Sequence, residues 1–548
     1  MVLGYQLETA DHIAPGILPA LVFIVLAAFF TAAAAWRMGK PLPGGRIETD
    51  VLSGEASAPE SAAGYPAAPR RFFLTWICIA LPNLIVLLGV YPGFFVYDAQ
   101  DELMQVITRN FSTHHPLFHV LSMGGTIAAV HKLTDSWNAG IFLWLLLQML
   151  LITAIYAFVL GRLRSMGLSA RLVRLFTLWY AFFPTVVMYT LCSTKDGLFT
   201  AFTTLFVTEL AGLFLVSGRE QTASGSAGHT GAVTPRSLFF DRGHLLLFIS
   251  AAAMMLLRNN ALYMFLVLLI LIAAVSGFRP QCRTRRTLYP AGILLLSMLL
   301  FLCMNKAMIL ATHADDSEHQ EMLSVPIQGL GRAYAYHPEL FTTEERETLF
   351  SYLSQEALDH YEPRNCDLLK ASFNNNRYSK DKVSFWSLWS SVVRRCPMTM
   401  VNSWLLTSYG NWYPFAVHNV YQGHTVFTFT YTESSYFGYE TELPGVRRSL
   451  IPPIDRFYRW LSLDDTIQRI PVLSLLFNPA FYFWVYVWVA LRLIYQKRGR
   501  GILPFVPLLL LWGTYLIGPY YLVRYLLPFF TALPVLVRML SNDVRKKC

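Results

Sequence analysis

Three acids fall within five positions of the stretch "YPGFFVYDAQDE": Asp98, Asp101 and Glu102. Carboxylates this close can take a proton from a hydroxyl or share a hard cation. Asp98 follows Tyr97 in the aromatic run "GFFVYD", which implies a part-buried carboxyl whose pKa rises toward that of a base. Asp101 and Glu102 are equally well read as solvated charges beyond a helix end. Further polar groups occur as His114 and His115 in "THHP", Lys195 and Asp196 in "STKD", Arg258, Asn259 and Asn260 in "RNN", and Arg524 in "LVRYLLP". Lys, Arg and His can hold an anionic leaving group, so acids and cations together form the set required for transfer from a phosphate-linked donor. Lys195 and Asp196 have an alternative reading as a structural ion pair. Pro116 interrupts the helix that would align the histidines as metal ligands, and no HExxH pattern is present, so hydrogen bonding to phosphate or substrate is the favoured role of His114 and His115.

The elements that must position these groups are membrane helices. The chain is 54% hydrophobic and only 14% charged, against roughly 25% charged in soluble domains. Its net charge of +10 is spread in short clusters between apolar runs, with no basic stripe or reader motif, which argues against a nucleic-acid partner. Apolar runs near 14–36, 72–91, 139–160, 175–192, 197–217, 244–276, 288–311, 471–494, 503–520 and 525–540 approach the roughly 20 residues that a span needs. If 116–131 stays juxtamembrane or re-entrant and 244–276 is two short helices meeting at Arg258, eleven spans result. The basic clusters then all lie in the cytoplasm, with the N-terminus outside and the C-terminus inside.

This topology divides the chain into four parts: residues 1–71, a first span and a cytoplasmic loop; 72–311, a membrane module with its first external loop at 92–138; 312–470, an external soluble domain; and 471–548, the last spans and a basic tail. "GKPLPGGRIETDVLSGEASAPESAAGYPAAP" and "SGREQTASGSAGHTGAVTPRS" have the composition of disordered loops. The block 312–470 reads as mixed α/β: "TTEE" at Thr342 to Glu345 has capping-box spacing, and "TVFTFTYT" at 425–432 alternates as a strand does. Trp386, Trp389 and Trp404 are expected at the membrane interface. Cys366 and Cys396 could pair if the block faces an oxidising space. The polar groups named above all fall on its external side.

The strings "YPGFFVYDAQDELMQV", "HHPLFH", "STKDGLF", "LRNNALY", "VPIQGLGRAY" and "VRYLLP", in this order, resemble a family of bacterial multipass proteins of unknown function. That family looks like the GT-C class of membrane glycosyltransferases and is similar in pattern to the protein mannosyltransferase and aminoarabinose transferase classes. The resemblance runs from about residue 72 onward. It implies a mostly α-helical polytopic protein of the bacterial plasma membrane with its active site outside the cytoplasm. It further implies a polyprenyl-phosphate sugar donor, membrane lipid contacts and a cell-envelope acceptor, with transfer by inversion. Asp98 would be the general base, Lys195, Arg258 and Arg524 would stabilise the lipid phosphate, and Asp196 would orient Lys195 or meet the acceptor. His114, His115, Asn259, Asn260, Tyr97 and Arg332 would complete the substrate and phosphate contacts. The resemblance leaves open a divalent cation, Mg or Mn, on Asp98, Asp101 and Glu102. A transporter or flippase of a lipid-linked glycan or other anionic substrate is the rival reading. A transporter is expected to show internal repeats and polar groups through mid-membrane, neither of which the sequence presents.

Overall fold

The computed structural model describes residues 2–13, 69–223, 242–278, 285–315, 318–418 and 436–541. Helix dominates them, and no strand beyond two isolated bridges occurs among the described residues. Among the described residues, five helices are long and apolar enough to cross a membrane: Pro69–Gly89, Trp137–Ser165, Lys195–Phe214, Asn260–Phe278 and Tyr289–Thr312. Two bent pairs, Ala170–Phe182 with Pro184–Thr190 and Val523–Thr531 with Leu533–Leu540, raise the number to seven if each is one span.

That is fewer than the eleven expected, and proline accounts for much of the difference. Its ring removes an N–H donor and collides with the preceding turn. Pro184 opens the second half of the 175–192 run, which bends by 59°. Pro528 and Pro534 each begin a short helix within 525–540. In 503–520 only Val506–Tyr515 is α-helical, entered through a 3-10 segment that contains Pro504. The helices Arg242–Leu257 and Pro479–Tyr495 are apolar but short. The run at 14–36 lies outside the described residues.

Two topological expectations hold locally. The long run at 244–276 does break at "RNN": Arg242–Leu257 ends before Arg258, and Asn260–Phe278 begins after Asn259. The segment 116–131 forms Leu117–His119, one π-helical turn Val120–Gly124, and Gly125–Thr134, none of them long enough to cross. These pieces pack between the first-loop helix Ala99–Thr108 and the long helix Trp137–Ser165.

The described part of 312–470 is helical, including Ser324–Tyr336, Thr343–Tyr352, Lys382–Arg395, Pro397–Ser408 and Pro452–Leu463. It shows no mixed α/β fold, and the expected strand at 425–432 lies outside the described residues. The capping box forms, with Thr342 Oγ1 accepting from Glu345 N at 3.2 Å and Glu345 Oε2 accepting from Thr342 N at 3.1 Å. Cys366 and Cys396 are free thiols that donate to the carbonyls of Ser324 and Val392. Of the stretch expected to be disordered after Val216, residues 217–223 continue the helix Lys195–Ala223, and the rest lies outside the described residues, as does the loop before Pro69.

The largest apolar core gathers Leu160, Phe206, Met254, Phe265 and Phe529 between the membrane-type helices. A second gathers Phe94, Phe95, Leu103, Tyr189 and Phe437 beneath the first loop. A third, with Ile327, Leu330, Leu349 and Phe385, supports the 323–396 block by itself. The polar candidates lie above the second of these cores, where the first loop meets the start of the Lys195 helix.

Candidate functional site

A short backbone register brings Asp98 to Lys195. Phe94 N donates to Leu191 O at 3.1 Å and Ser193 N donates to Phe94 O at 2.9 Å, so the strand-like exit from Pro69–Gly89 lies beside the entry to the Lys195 helix. Ser193 Oγ strengthens the join by donating to Phe94 O at 3.2 Å. Tyr97 then takes a left-handed φ of 64°, costly for a bulky residue, which turns the chain so that Asp98 becomes the N-cap of Ala99–Thr108. The Tyr97 ring is buried and its hydroxyl accepts from Gly438 N at 3.0 Å, which holds the turn. Arg524 arrives from the 3-10 turn Val523–Leu526, and Arg258 from the break between two helices.

The result is an alternating chain of charges. Lys195 Nζ donates to Asp98 Oδ2 at 3.0 Å, Glu102 Oε1 at 3.3 Å and His115 Nδ1 at 2.9 Å. Arg524 Nη1 donates to the same Asp98 Oδ2 at 3.2 Å and lies 3.6 Å from Asp196 Oδ2. Asp196 Oδ1 accepts from Arg258 Nε at 2.6 Å and also contacts Arg258 Nη2. Glu102 Oε2 meets His119 Nδ1 at the inner end. Aromatic rings wall the two guanidiniums: Tyr97 and Tyr525 against Arg524, and Phe199, Tyr515 and Tyr525 against Arg258.

Donor counting separates the roles of these cations. An ammonium carries three N–H bonds, and Lys195 directs all three at protein partners. It is a hub with no donor left for a phosphate. Because Lys195 can only donate, His115 Nδ1 must accept, and the ring proton therefore sits on Nε2, facing Asp101 Oδ2 at 3.3 Å. Arg524 is different: its Nε is buried without a hydrogen-bond partner, so the guanidinium keeps donor capacity.

Burial works to raise the pKa of Asp98, but the Arg524 and Lys195 charges outweigh it and hold the carboxyl well below the usual range. This reverses the expectation of a raised, base-like Asp98. Burial likewise opposes ionisation of Glu102, while His119 and Lys195 bring its pKa down to about 2. Burial and the Lys195 charge lower the His115 pKa, which keeps the ring neutral at neutral pH. Among the three acids of the network, Asp98 has the accessible carboxylate, its side chain 24% exposed against 1% for both Glu102 and Asp196.

The donors here do not fit a divalent ion. The atoms that converge belong to Asp98, Glu102 and His115, and the Lys195 ammonium stands within 3.3 Å of all three. Asp101 is turned outward, its side chain 64% exposed and bonded to Gln105 and His115. The cation of this triad is therefore Lys195 itself.

The other predicted residues divide. Asn260 lies beside the cluster, donating to Thr514 Oγ1 at 3.2 Å. Asn259 is exposed at the helix break, where its carbonyl accepts from Leu262 N. His114 points away from Asp98 toward Glu318. Arg332 is not brought in: it donates to Asp11 O at 2.6 Å and stacks on Tyr336.

Sequence reasoning missed Glu102 as an inner ligand of Lys195, His119 as its partner, and Glu442. Glu442 Oε2 accepts from Gln100 N at 2.8 Å and its own N–H reaches Phe95 O at 2.8 Å. It thus caps the first-loop helix from outside, a task that the N-cap Asp98 leaves undone. Burial, with Asp98 and Glu102 adding to it, pushes the Glu442 pKa well above the carboxylate range. In "YETELPG" it is one acid among several, and no local pattern marks it.

Residues 106–548 match the family of unknown function DUF6020, well over half of the chain, and the protein belongs to that family. The match takes in Lys195, Asp196, Arg258 and Arg524, and it begins just after Asp98, Asp101 and Glu102. No curated protein and no solved structure matches the chain.

Proposed function

We propose that this protein is an integral membrane glycosyltransferase of GT-C type. It moves a sugar from a polyprenyl-phosphate donor to a cell-envelope acceptor, a glycan, lipid or protein, on the outer face of a bacterial plasma membrane. The observation that carries this reading is the Asp98 carboxylate, ionised and accessible, held by Lys195 and Arg524 at the ends of apolar helices. In the reaction, the acceptor hydroxyl gives its proton to Asp98 as its oxygen attacks the anomeric carbon, and the bond to the lipid phosphate breaks with inversion. Arg524, with donor capacity to spare, receives the leaving phosphate, and Arg258 supports it through Asp196. Lys195 and Glu102 set the position of Asp98 and do not touch the substrate.

One observation favours the second reading, a transporter or flippase of a lipid-linked glycan or other anionic substrate. The helices Arg242–Leu257 and Asn260–Phe278 form a broken pair with Arg258 at the break, a device transporters use for anionic groups. Purified protein incubated with synthetic polyprenyl-phosphate sugars and acceptor extract separates the two. Released lipid phosphate from the parent, reduced at least about 100-fold in Asp98→Asn, supports transfer. Equal release by both proteins removes Asp98 as the base. No turnover against a broad donor panel, with uptake into proteoliposomes, establishes transport instead.

A further inference from the structure

A second group of metal-type ligands stands apart from the Lys195 network. His114 Nδ1 lies 2.7 Å from Glu318 Oε2 and 3.7 Å from Glu321 Oε1. The three donor atoms fall within 4.8 Å of one another. Their chain segments are far apart in sequence, yet a backbone bridge fixes them together: Thr113 N donates to Asp315 O at 2.8 Å and Asp315 N to Phe111 O at 2.9 Å. Glu321 is also aimed. Lys370 Nζ holds its far oxygen, Oε2, at 2.9 Å and leaves Oε1 toward His114.

We infer that His114, Glu318 and Glu321 form a site for a divalent transition cation, Zn²⁺ ahead of Mn²⁺. The spacing is right for a shared ion: two ligand atoms about 2.1 Å from a tetrahedral zinc lie about 3.4 Å apart, between the two separations seen here. One imidazole nitrogen with two carboxylate oxygens is a borderline-hard set that suits Zn²⁺ and Mn²⁺. The contrast with the first triad is instructive. There an ammonium fills the centre, whereas here the Lys370 ammonium contacts Glu321 from outside on the other oxygen. All three side chains are partly exposed, at 37%, 26% and 36%, so a fourth position opens to solvent or to a ligand. The Lys370 contact has the character of an outer-shell partner that orients a ligand. Bound metal would strap the first loop to the 318–322 segment and fix His114 beside His115, whose ring it meets at 4.5 Å between centroids. The site does not depend on the glycosyl-transfer reading.

The test uses full-length, untagged protein in detergent micelles, stripped with chelator and titrated with Zn²⁺ and with Mn²⁺ by calorimetry, with bound metal counted by mass spectrometry. One equivalent is expected, with affinity reduced at least about 100-fold in His114→Ala and at least about tenfold in Glu318→Gln or Glu321→Gln. Asp98→Asn should bind as the parent does. If His114→Ala does not fold, the two Gln variants carry the comparison. Absence of stoichiometric binding of both ions, or binding that none of the three substitutions weakens, overturns the site. Binding lost in Asp98→Asn and kept in Glu318→Gln overturns it too, by placing the ion at the other triad.

Discussion

Replacing Lys195 by methionine probes the charge network without reference to any substrate. Methionine keeps an unbranched apolar stem and removes the ammonium. Glu102, 1% exposed, is then left beside Asp98 with the rings of His119 and, at 3.9 Å, His115 as its neighbours, and Asp98 keeps Arg524. Taking one partner from a buried ion pair costs about 3–5 kcal/mol. Asp98 is 24% exposed and water recovers part of its loss, so the low end, about 3 kcal/mol, is expected. Each kcal/mol moves the midpoint of a 150–250-residue chain by roughly 2–4 °C. A chain of 548 residues lies at or below that range, so the melting temperature in detergent should fall by about 3–6 °C.

The same substitution should also create metal binding. With the ammonium gone, Asp98, Glu102 and His115 still converge within 4.8 Å and carry two negative charges. A divalent cation can replace the lost charge, and at 100 times its Kd it restores about 2.7 kcal/mol, most of the deficit. The measurement is best made in a His114→Ala background, so that the neighbouring donors do not contribute. Mn²⁺ or Zn²⁺ should raise the melting temperature of Lys195→Met by several degrees and leave the Lys195 parent unmoved. A methionine variant as stable as its parent, or equal metal stabilisation of the two, would refute the view that these three donors are built around Lys195.

Gly197→Ala should displace the start of the Lys195 helix, because a Cβ there would lie 2.2 Å from the Tyr189 carbonyl, a backbone atom that cannot swing aside; a loss of about 1–3 kcal/mol in thermal melts is expected, with Lys195 and Asp196 carried out of register. Glu442→Ala should loosen the first-loop helix by about 1 kcal/mol, seen as faster amide exchange over Ala99–Thr108, whereas Glu442→Gln should keep that protection. The Glu442 pKa is raised in the fold, so this residue takes up a proton on folding and its contribution declines as pH rises above the ordinary carboxylate range; Glu442→Gln should remove that decline from melting temperatures measured across rising pH. Asp98 and Glu102 are shifted the other way, so their contribution is complete above about pH 4.5 and fades as pH falls toward about 2 for Glu102, a loss that Glu102→Gln should abolish in acid melts. Arg524→Lys keeps the charge and loses the guanidinium fork, and in the proposed reaction it should weaken lipid-phosphate donor binding at least tenfold in equilibrium titration.

What could be read from the sequence was what a single segment determines. The break at Arg258 was legible because a cation and two amides inside an apolar run are too costly to leave in an unbroken lipid-facing helix. The capping box at Thr342 was legible because its two hydrogen bonds span only three residues. The number of spans was not, because apolar content does not register the prolines that interrupt these runs at 184, 504, 528 and 534. The pairing of Asp98 with Lys195 was half legible: both stood out as polar residues beside apolar runs, but the bridge of Phe94 to Cys192 that joins them is backbone hydrogen bonding across nearly a hundred residues. Glu442 was invisible for the same reason, because its role exists only where the 436–445 segment folds back on Gln100.

The sign of the Asp98 shift changes how the proposed reaction must work. Burial alone would have made Asp98 a stronger base, and the cations beside it make it a weaker one. A carboxylate held so far down is ionised at every relevant pH but has little thermodynamic pull on a hydroxyl proton. Arg524 resolves the conflict, because it is both the neighbour of Asp98 and the guanidinium with an unfilled buried donor. In the proposed reaction, a lipid phosphate drawing Arg524 toward itself would withdraw one of the two direct donors on Asp98 Oδ2, while Lys195, with all three protons committed, would stay in place. Desolvation by the bound donor would then act, in that reaction, on a carboxylate with less compensation, which would shift its pKa upward only in the loaded site. The resting ion pair would in this way keep Asp98 weak toward water and reserve its basicity for the loaded site.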